Sequence, residues 1–297
     1  MFTQIMVPLD GSELAERALA CAEQLACATG ATLHLVRVAG PVFAGDAGAD
    51  KDADYADFLL TEMRDADAYL EQVRARLATT GLTVRARRIT GTIAEALLGY
   101  AHEESIDLIV LTSHGRTGLA RFPLGSIASR LVRHGTTPVL LVRAFGPPPD
   151  LTRAVVPLDG SAQAEAALGV VATLQAADSG RGTRPLAREL TLLRVVSSQE
   201  EGLEAERYLE ELAGRLAQEG LATGGPQACQ RQVVQGAAAA AILAAAGAEA
   251  LIVMATHGRS GLTRWALGSV ADRVTAGGAA AVLLVRDSAT NGQLATG

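Results

Sequence analysis

The chain has 297 residues, 49% of them hydrophobic and only 3% aromatic, which predicts two α/β domains of about 150 residues with cores of Ala, Val, Leu and Ile. Its formal net charge is −6 and its Lys and Arg residues are scattered, which argues against nucleic acid or an anionic membrane as the main partner. The first residues lack the features of a signal peptide and no apolar run reaches the ~18 residues of a membrane helix, so we expect a cytoplasmic protein.

The first half alternates short β-branched runs with helix-length segments. Strands are predicted at Gln4–Leu9, Thr32–Val38, Val84–Ile89, Leu108–Leu111 and Val139–Val142. Helices are predicted at Leu14–Thr29, about Leu59–Thr79, Ile93–Glu103 and Ser126–His134, the last closed by Gly135 as its C-cap residue. Strands that alternate with helices pair in parallel through right-handed crossovers, so we expect a doubly wound, open parallel sheet of the Rossmann-like class.

The chain contains an internal repeat. The segment Val7–Ser12 recurs as Val156–Ser161, and Leu108–Arg143 aligns without a gap on Leu251–Arg286 with roughly 20 of 36 positions identical. Three consecutive prolines make the connector Phe145–Asp150 rigid and non-helical. The sequence therefore predicts a tandem duplication, with domains over 1–145 and 150–287 and a flexible tail over 288–297.

Two inserts distinguish the halves. The first half carries an acidic segment at Gly45–Tyr55, and the second a Gly/Arg-rich segment at Ser179–Arg188. Both are predicted to be surface loops. Three cysteines with poor spacing predict neither a disulfide framework nor a metal site, and no metal ligands are assigned.

An aspartate follows the first strand of each half, in Val7-Pro8-Leu9-Asp10 and Val156-Pro157-Leu158-Asp159. Ligands of doubly wound sheets bind beyond the carboxyl ends of the strands, where an aspartate can accept hydrogen bonds from ribose hydroxyls or an adenine amino group. The alternative is that both aspartates only form an Asx turn or cap the next helix.

A glycine loop follows the fourth strand of each half. Gly115 and Gly125 flank a nine-residue spacer before Ser126, and Gly258, Gly268 and Ser269 repeat the pattern. Glycine lets the backbone approach a phosphate, and the free N–H groups of a helix start favour an anion. The loop is neither a P-loop nor a dinucleotide fingerprint. The alternative is a tight loop whose serines are simple N-caps.

The coupling of the V-P-x-D strand end with G-x9-G-S resembles the universal stress protein family over nearly the whole chain. The resemblance implies binding of ATP or another adenine nucleotide, with Mg²⁺ as a conceivable companion ion. It places adenosine near the aspartates and phosphates along the glycine loop. The residues it implies are Asp10, Val38, Gly115, Gly125, Ser126 and Ile127, and in the second half Asp159, Val195, Gly258, Gly268, Ser269 and Val270. The candidate set also includes Pro8 and Pro157 of the strand-end motif and His114 and His257 beside the loop.

One position departs from the family pattern. The glycine that begins G-x-x-G-x9-G-S/T is Thr112 in the first half and Ala255 in the second, where a Cβ narrows the approach to the phosphates. His114 and His257 either donate to a phosphate or orient the loop.

The residues contain no dedicated catalytic set, because a serine nucleophile lacks a paired base and phosphoryl transfer lacks a positioned metal ligand. A regulatory stress-response protein that changes conformation with its nucleotide is favoured. A weak ATPase or autophosphorylating protein and a nucleotide-free interaction module are the alternatives.

The last strands, Val139–Val142 and Val282–Val285, are strongly apolar and would be exposed at sheet edges unless they are paired. The resemblance implies that such edges join two domains, so we expect the two halves to pair with each other. A homodimer of the whole chain is a further expectation.

Overall fold

The computed structural model describes residues 1–39, 52–113, 124–177, 186–221, 229–257 and 267–286. The strands of the first half are β1 (Gln4–Pro8), β2 (Thr32–Val38), β3 (Val84–Ile89), β4 (Leu108–Thr112) and β5 (Val139–Val142). Its helices are α1 (Glu13–Thr29), α2 (Asp52–Ala78), α3 (Ile93–Glu103) and α4 (Ser126–His134). The predicted alternation of strands and helices is confirmed.

The second half repeats this order of elements. Its strands are β6 (Asp150–Leu158), β7 (Glu189–Val196), β8 (Cys229–Gln235), β9 (Ala250–Ala255) and β10 (Ala281–Val285). Its helices are α5 (Ala162–Gln175), α6 (Glu200–Gln218), α7 (Ala238–Ala246) and α8 (Ser269–Gly277). The predicted tail, 288–297, lies outside the described residues.

Strands within each half pair in parallel, and the two halves join into one ten-stranded sheet of order β3-β2-β1-β4-β5-β10-β9-β6-β7-β8. The joint is an antiparallel pair between β5 and β10, in which Leu140 lies opposite Leu283, its own equivalent in the repeat. A pseudo-two-fold axis therefore passes through this pair. The expected pairing of the last strands is observed, and both apolar edges are covered. The homodimer stays a prediction.

Helices cover both faces of the sheet because alternate strand residues point to opposite sides. Ile5 and Val7 pack in one hydrophobic cluster with α1, α2, α5 and α6, whereas Met6 packs in a second cluster with α3, α4, α7 and α8. Each cluster contains residues of both halves. The core is thus continuous across the β5–β10 joint.

The prediction that both inserts are surface loops is wrong in part. Helix α2 begins at Asp52 rather than about Leu59, so residues 52–55 of the acidic insert are helical. Aspartates near a helix start are stabilised by the helix dipole, which explains why an acidic run here is compatible with helix. At the end of the second insert, Leu186 and Ala187 are 0% exposed, and the Ala187 N–H donates to the Leu151 carbonyl. The rest of both inserts lies outside the described residues.

Gly135 is the C-cap residue of α4, as predicted, but its backbone is extended, with φ −77°. A Cβ on this residue would lie 2.6 Å from the Leu131 carbonyl oxygen and 3.0 Å from a methyl group of Leu98. Glycine is therefore required here for close packing rather than for a left-handed backbone.

A buried histidine lies in the first half of the sheet. His34 is 0% exposed, with Nε2 2.7 Å from Gln4 Oε1 and Nδ1 2.8 Å from the Tyr100 hydroxyl. An amide oxygen only accepts hydrogen bonds, so Nε2 carries the proton and Nδ1 accepts from Tyr100. Both ring nitrogens of a neutral imidazole therefore have a hydrogen-bond partner.

We expect acid to destabilise the fold through His34. Burial lowers the pKa of His34 below its usual 6.5, and the nearby Arg85 acts in the same direction. Since the unfolded chain then binds the proton more tightly, the stabilisation is complete above pH 6.5 and decreases as pH falls below it. The unfolding free energy, measured with urea, should fall less steeply below pH 6.5 in His34→Gln than in the parent chain. His102→Gln, which alters an exposed histidine, is the control, and equal pH slopes in all three proteins would contradict the prediction.

Candidate functional site

Each half places its candidate residues at a switch point of the sheet. Strand β1 pairs with β2 on one side and with β4 on the other, and β6 lies likewise between β7 and β9. The connections that leave β1 and β4 lead to helices on opposite faces, α1 and α4, and those that leave β6 and β9 lead likewise to α5 and α8. This divergence opens a crevice beyond the carboxyl ends of the strands. The duplication therefore produces two such crevices.

A cleft is present at both positions. The first cleft encloses about 1180 Å³, its open mouth included, and is lined by the predicted residues Pro8, Asp10, Val38, Gly125, Ser126 and Ile127. The second cleft encloses about 790 Å³ and is lined by Pro157, Asp159, Val195, His257, Gly268, Ser269 and Val270. The predicted residues His114, Gly115 and Gly258 lie outside the described part of the chain.

Asp10 lines the first cleft and also forms a local turn. Its Oδ1 accepts from the Ser12 N–H at 2.9 Å and from the Ser12 hydroxyl at 2.6 Å, while Ser12 Oγ accepts from the Ala15 N–H and caps α1. Gly11 between them has φ 86°, which only glycine adopts without strain. The Asx turn of the alternative interpretation is thus present, on an aspartate that also lines the cleft.

The second half reproduces this turn atom for atom. Asp159 Oδ1 accepts from the Ser161 N–H at 3.0 Å and from its hydroxyl at 2.5 Å, and Ser161 caps α5. Both aspartates are half-buried. The turn fixes the carboxylate at the carboxyl end of the strand, so its orientation does not depend on a ligand.

The opposite wall of each cleft is a helix start that begins with glycine. Gly125 is the N-cap residue of α4 and its N–H donates to the Ser113 carbonyl; Gly268 is the N-cap residue of α8 and donates to the Thr256 carbonyl, each at 2.8 Å. Because glycine has no side chain, it cannot cap the first-turn amides as Ser12 and Ser161 do in α1 and α5.

Ser126 and Ser269 are the first helical residues rather than N-caps, and both are exposed at the cleft. The interpretation of these serines as simple N-caps is therefore wrong. The first turns of α4 and α8 present backbone amides and a hydroxyl toward the cleft, which is the arrangement that stabilises an anion.

His257 adds a polar group to the second cleft. Its Nδ1 lies 3.0 Å from the Thr256 hydroxyl, and its Nε2 is buried without a hydrogen-bond partner among the described residues. A buried ring nitrogen without a partner is unfavourable, so a ligand that bonds to Nε2 would stabilise the cleft.

Apolar side chains form the remaining wall. Leu97 and Leu111 in the first cleft and Ile242 and Met254 in the second are buried, beside the half-buried Val38 and Val195. A site with apolar walls and a few fixed polar groups is typical of pockets that hold an aromatic base.

Comparison with known proteins bears on both halves. The universal stress protein family matches residues 1–143 and, a second time, residues 151–286. The chain is a tandem member of the universal stress protein family. The domain ends predicted at 145 and 150 stay a prediction.

This universal stress protein is 29% identical to a universal stress protein of Mycolicibacterium smegmatis, over 95% of this chain and 96% of that protein. Its fold is similar to that of a universal stress protein from Archaeoglobus fulgidus, with a TM-score of 0.68 and 18% identity, covering 95% of this chain and 98% of that one. A universal stress protein solved in complex with cAMP is 26% identical over 48% of this chain and 98% of that one, with a TM-score of 0.36.

Sequence reasoning missed a polar network that flanks the first cleft of this universal stress protein. The guanidinium carbon of Arg37 lies 5.3 Å from the centre of the Tyr69 ring, and the Tyr69 hydroxyl donates to Glu16. Arg76 donates to the other oxygen of Glu16 at 2.6 Å. Burial and the neighbouring carboxylate raise the pKa of Tyr69, so it remains a donor.

The second half repeats this network with Arg194, Tyr208, Glu165 and Arg215. The signal in the sequence was an arginine directly before Val38 and before Val195. Its tyrosine and glutamate partners come from separate helices at unequal spacings, so no single motif contains the network.

The clefts fit an adenine nucleotide by their chemistry. Both clefts offer an apolar wall for a base, a fixed carboxylate for a ribose and a helix start without a side-chain cap for a phosphate. In the second cleft, His257 Nε2, which has no partner among the described residues, is a further polar group. Within the described ranges, no three His, Cys, Asp or Glu side chains are grouped to hold a metal ion. In the same ranges, every helix is too short or too polar to cross a membrane.

Proposed function

We propose that this universal stress protein binds an adenine nucleotide such as ATP in each cleft and acts as a cytoplasmic regulatory or stress-response factor. The observation that supports the proposal is the pairing, in both clefts, of a fixed aspartate after the first strand with a glycine-capped helix start after the fourth strand. In both halves the glycine N-cap provides no side-chain hydrogen bond to the first-turn amides, which packing alone does not require, and this favours an anionic ligand at the helix start.

The residues have distinct roles in this proposal. The carboxylates of Asp10 and Asp159 accept hydrogen bonds from ribose hydroxyls, and the apolar walls contact the base. The first-turn amides of α4 and α8 donate to phosphate oxygens, with Ser126 and Ser269 beside them. A Mg²⁺ ion that accompanies the phosphates would find the carboxylates of Asp10 and Glu62 in the first cleft and that of Asp159 in the second.

Nucleotide occupancy regulates the protein by favouring one arrangement of the cleft over another. A ligand shifts a conformational equilibrium only through its different affinity for the two states. The first turns of α4 and α8 are the elements that such a ligand would hold, so we propose that they transmit occupancy to a partner protein.

The experiment is mass spectrometry of the nucleotide released from purified, denatured protein, with titration of added ATP. We expect up to two adenine nucleotides per chain. No nucleotide in the purified protein and no binding of added ATP would contradict the proposal and favour the interaction module. Release of ADP and phosphate at several turnovers per minute would favour a weak ATPase instead.

Substituting the cleft aspartates tests their role. Asn retains an Oδ1 acceptor, so Asp10→Asn and Asp159→Asn keep the turn with the following serine but lose the charge and one acceptor. Loss of a charged hydrogen bond of 1.5–3 kcal/mol predicts about tenfold to 100-fold weaker ATP binding at the altered cleft. Calorimetric titration measures this effect.

The matched control is Asp150→Asn. Asp150 forms the same turn, accepting from the Thr152 N–H and hydroxyl at 3.0 and 2.7 Å, but does not line either cleft. We expect unchanged ATP binding in this variant. Equal loss of binding in Asp150→Asn and Asp159→Asn would show that the aspartates act only through the fold.

A further inference from the structure

Two equivalent arginines follow the last strands of the halves. Arg143 comes directly after β5 and Arg286 directly after β10, and they correspond in the repeat. Arg143 is only 9% exposed and Arg286 is partly buried. Burial lowers the pKa of both guanidinium groups. Their place beside the pseudo-two-fold axis makes them residues of the joint between the halves.

The two arginines cross the joint. Arg143 donates from Nη1 and Nη2 to the carbonyls of Thr275 and Val274, in the last turn of α8, at 2.7 and 3.1 Å, and from Nε to Ala280 at 2.8 Å. Arg286 donates from Nη2 to the carbonyls of Val132 and Arg133 in the last turn of α4. Each half thus holds the C-terminal end of a helix in the other half.

These two helices are the ones that begin in the clefts. Helix α4 starts at Gly125 in the first cleft and ends at the guanidinium of Arg286; α8 starts at Gly268 in the second cleft and ends at that of Arg143. A nine-residue helix spans about 13.5 Å. A cation at its C-terminus supplies donors for carbonyls that have no partner inside the helix and is favoured by the helix dipole.

We infer that Arg286 is a positioning residue for ligand binding in the first cleft and Arg143 for the second, so that each cleft depends on an arginine from the opposite half. The inference rests on the proposed binding of nucleotide at the starts of α4 and α8. Because these helices are short, a shift at the C-terminal turn moves the first-turn amides with it. A preorganised binding site needs its donors within about 0.5 Å of their productive positions, and the crossed arginines hold the first-turn amides there by fixing the other end of each helix.

The test examines one cleft at a time. Gly268→Val removes the second cleft from binding and leaves the first, and Gly125→Val does the reverse. In the Gly268→Val background, Arg286→Met should weaken ATP binding about tenfold, whereas Arg143→Met should change it less than about threefold. In the Gly125→Val background, Arg143→Met should weaken ATP binding about tenfold and Arg286→Met less than about threefold. Fluorescence titration with an N-methylanthraniloyl ATP measures each affinity.

Because each arginine variant should weaken only one cleft, the comparison distinguishes a positioning role from a general loss of stability. Both Met variants remove a buried charge and its carbonyl contacts from the same joint, so each is the stability control for the other. Arg143→Lys replaces three separate donor nitrogens by one ammonium, and Arg286→Lys places its ammonium short of the position of Nη2 because the lysine side chain is shorter. Both variants keep the charge and should weaken the same cleft about threefold. They also provide variants that fold if a Met variant does not. Equal weakening of both clefts by either arginine variant, or no weakening, would overturn the inference.

A measurement without nucleotide distinguishes this inference from the proposed function. Hydrogen exchange should become about tenfold faster in residues 126–134 for Arg286→Met and in 269–277 for Arg143→Met, each without change in the other helix. Unchanged exchange in both helices would overturn the positioning role even if ATP binds. Failure of the parent chain to bind ATP would overturn the proposed function, and the arginines would then be assigned as crossed caps of α4 and α8 by their exchange pattern alone.

Discussion

Valine at Gly125 and Gly268 together is expected to remove ATP binding from the chain, with affinity at least about 100-fold weaker than in the parent. A Cβ at Gly268 would lie 3.0 Å from the Thr256 carbonyl oxygen, the same atom that accepts from the Gly268 N–H at 2.8 Å. A branched side chain therefore displaces the helix start and also occupies the space that a phosphate would approach. Gly125 donates equivalently to Ser113.

Calorimetric titration should show two bound nucleotides per parent chain, one in each single variant and none in the double variant. Gly169→Val is the matched control, because a Cβ at this exposed residue of α5 has no atom within 4 Å apart from its own helix and chain neighbours. It should bind as the parent does. Undiminished binding by the double variant would exclude the helix starts as the phosphate sites.

Truncation of the leucines at the joint is expected to give the largest loss of stability. Leu140 and Leu283 are each 1% exposed and lie opposite each other in the β5–β10 pair. Leu→Ala in a packed core removes about 2–5 kcal/mol of unfolding free energy, through lost burial and the cavity that remains. We expect Leu140→Ala and Leu283→Ala each to fall in this range. The double variant should be non-additive because the side chains face each other.

Urea denaturation measures these free energies. Because each hydrophobic cluster contains residues of both halves, the parent should unfold in one transition, with no separate transition for either half. Leu203→Ala is the control, since Leu203 is 71% exposed and its truncation should change stability by less than about 0.5 kcal/mol. A loss of similar size in Leu203→Ala and Leu283→Ala, or a parent that unfolds in two steps, would contradict a shared core.

Local patterns predicted most element boundaries correctly. The bounds of β2, β3, α3 and α4 agree with the prediction, because each has a clear period and a turn residue at its end. The start of α2 was missed since an acidic run is typical of loops as well as of first helical turns. Gly135 was placed correctly, but the reason for it is the close approach of the Leu131 carbonyl, which no local pattern shows.

The sequence predicted part of the lining of the two candidate clefts. Asp10 and Gly125 follow neighbouring parallel strands, and the carboxyl ends of such strands meet at one edge, so their presence in the same cleft follows from topology. The two interpretations of Asp10 could not be separated by sequence, because one carboxylate both forms the turn and lines the cleft. The network of Arg37 and Tyr69 was missed because its members lie on a strand and a distant helix.

The sequence by itself determined the duplication, the parallel α/β architecture and the strand ends that carry the cleft residues, because period and repeat are properties of neighbouring residues. Only the tertiary structure decided that Arg143 caps α8 and Arg286 caps α4, across 131 to 154 residues of chain. Such contacts depend on how two halves pack about the pseudo-two-fold axis. The energy of a buried guanidinium is set by the carbonyls that this packing brings to it, which no spacing along the chain encodes.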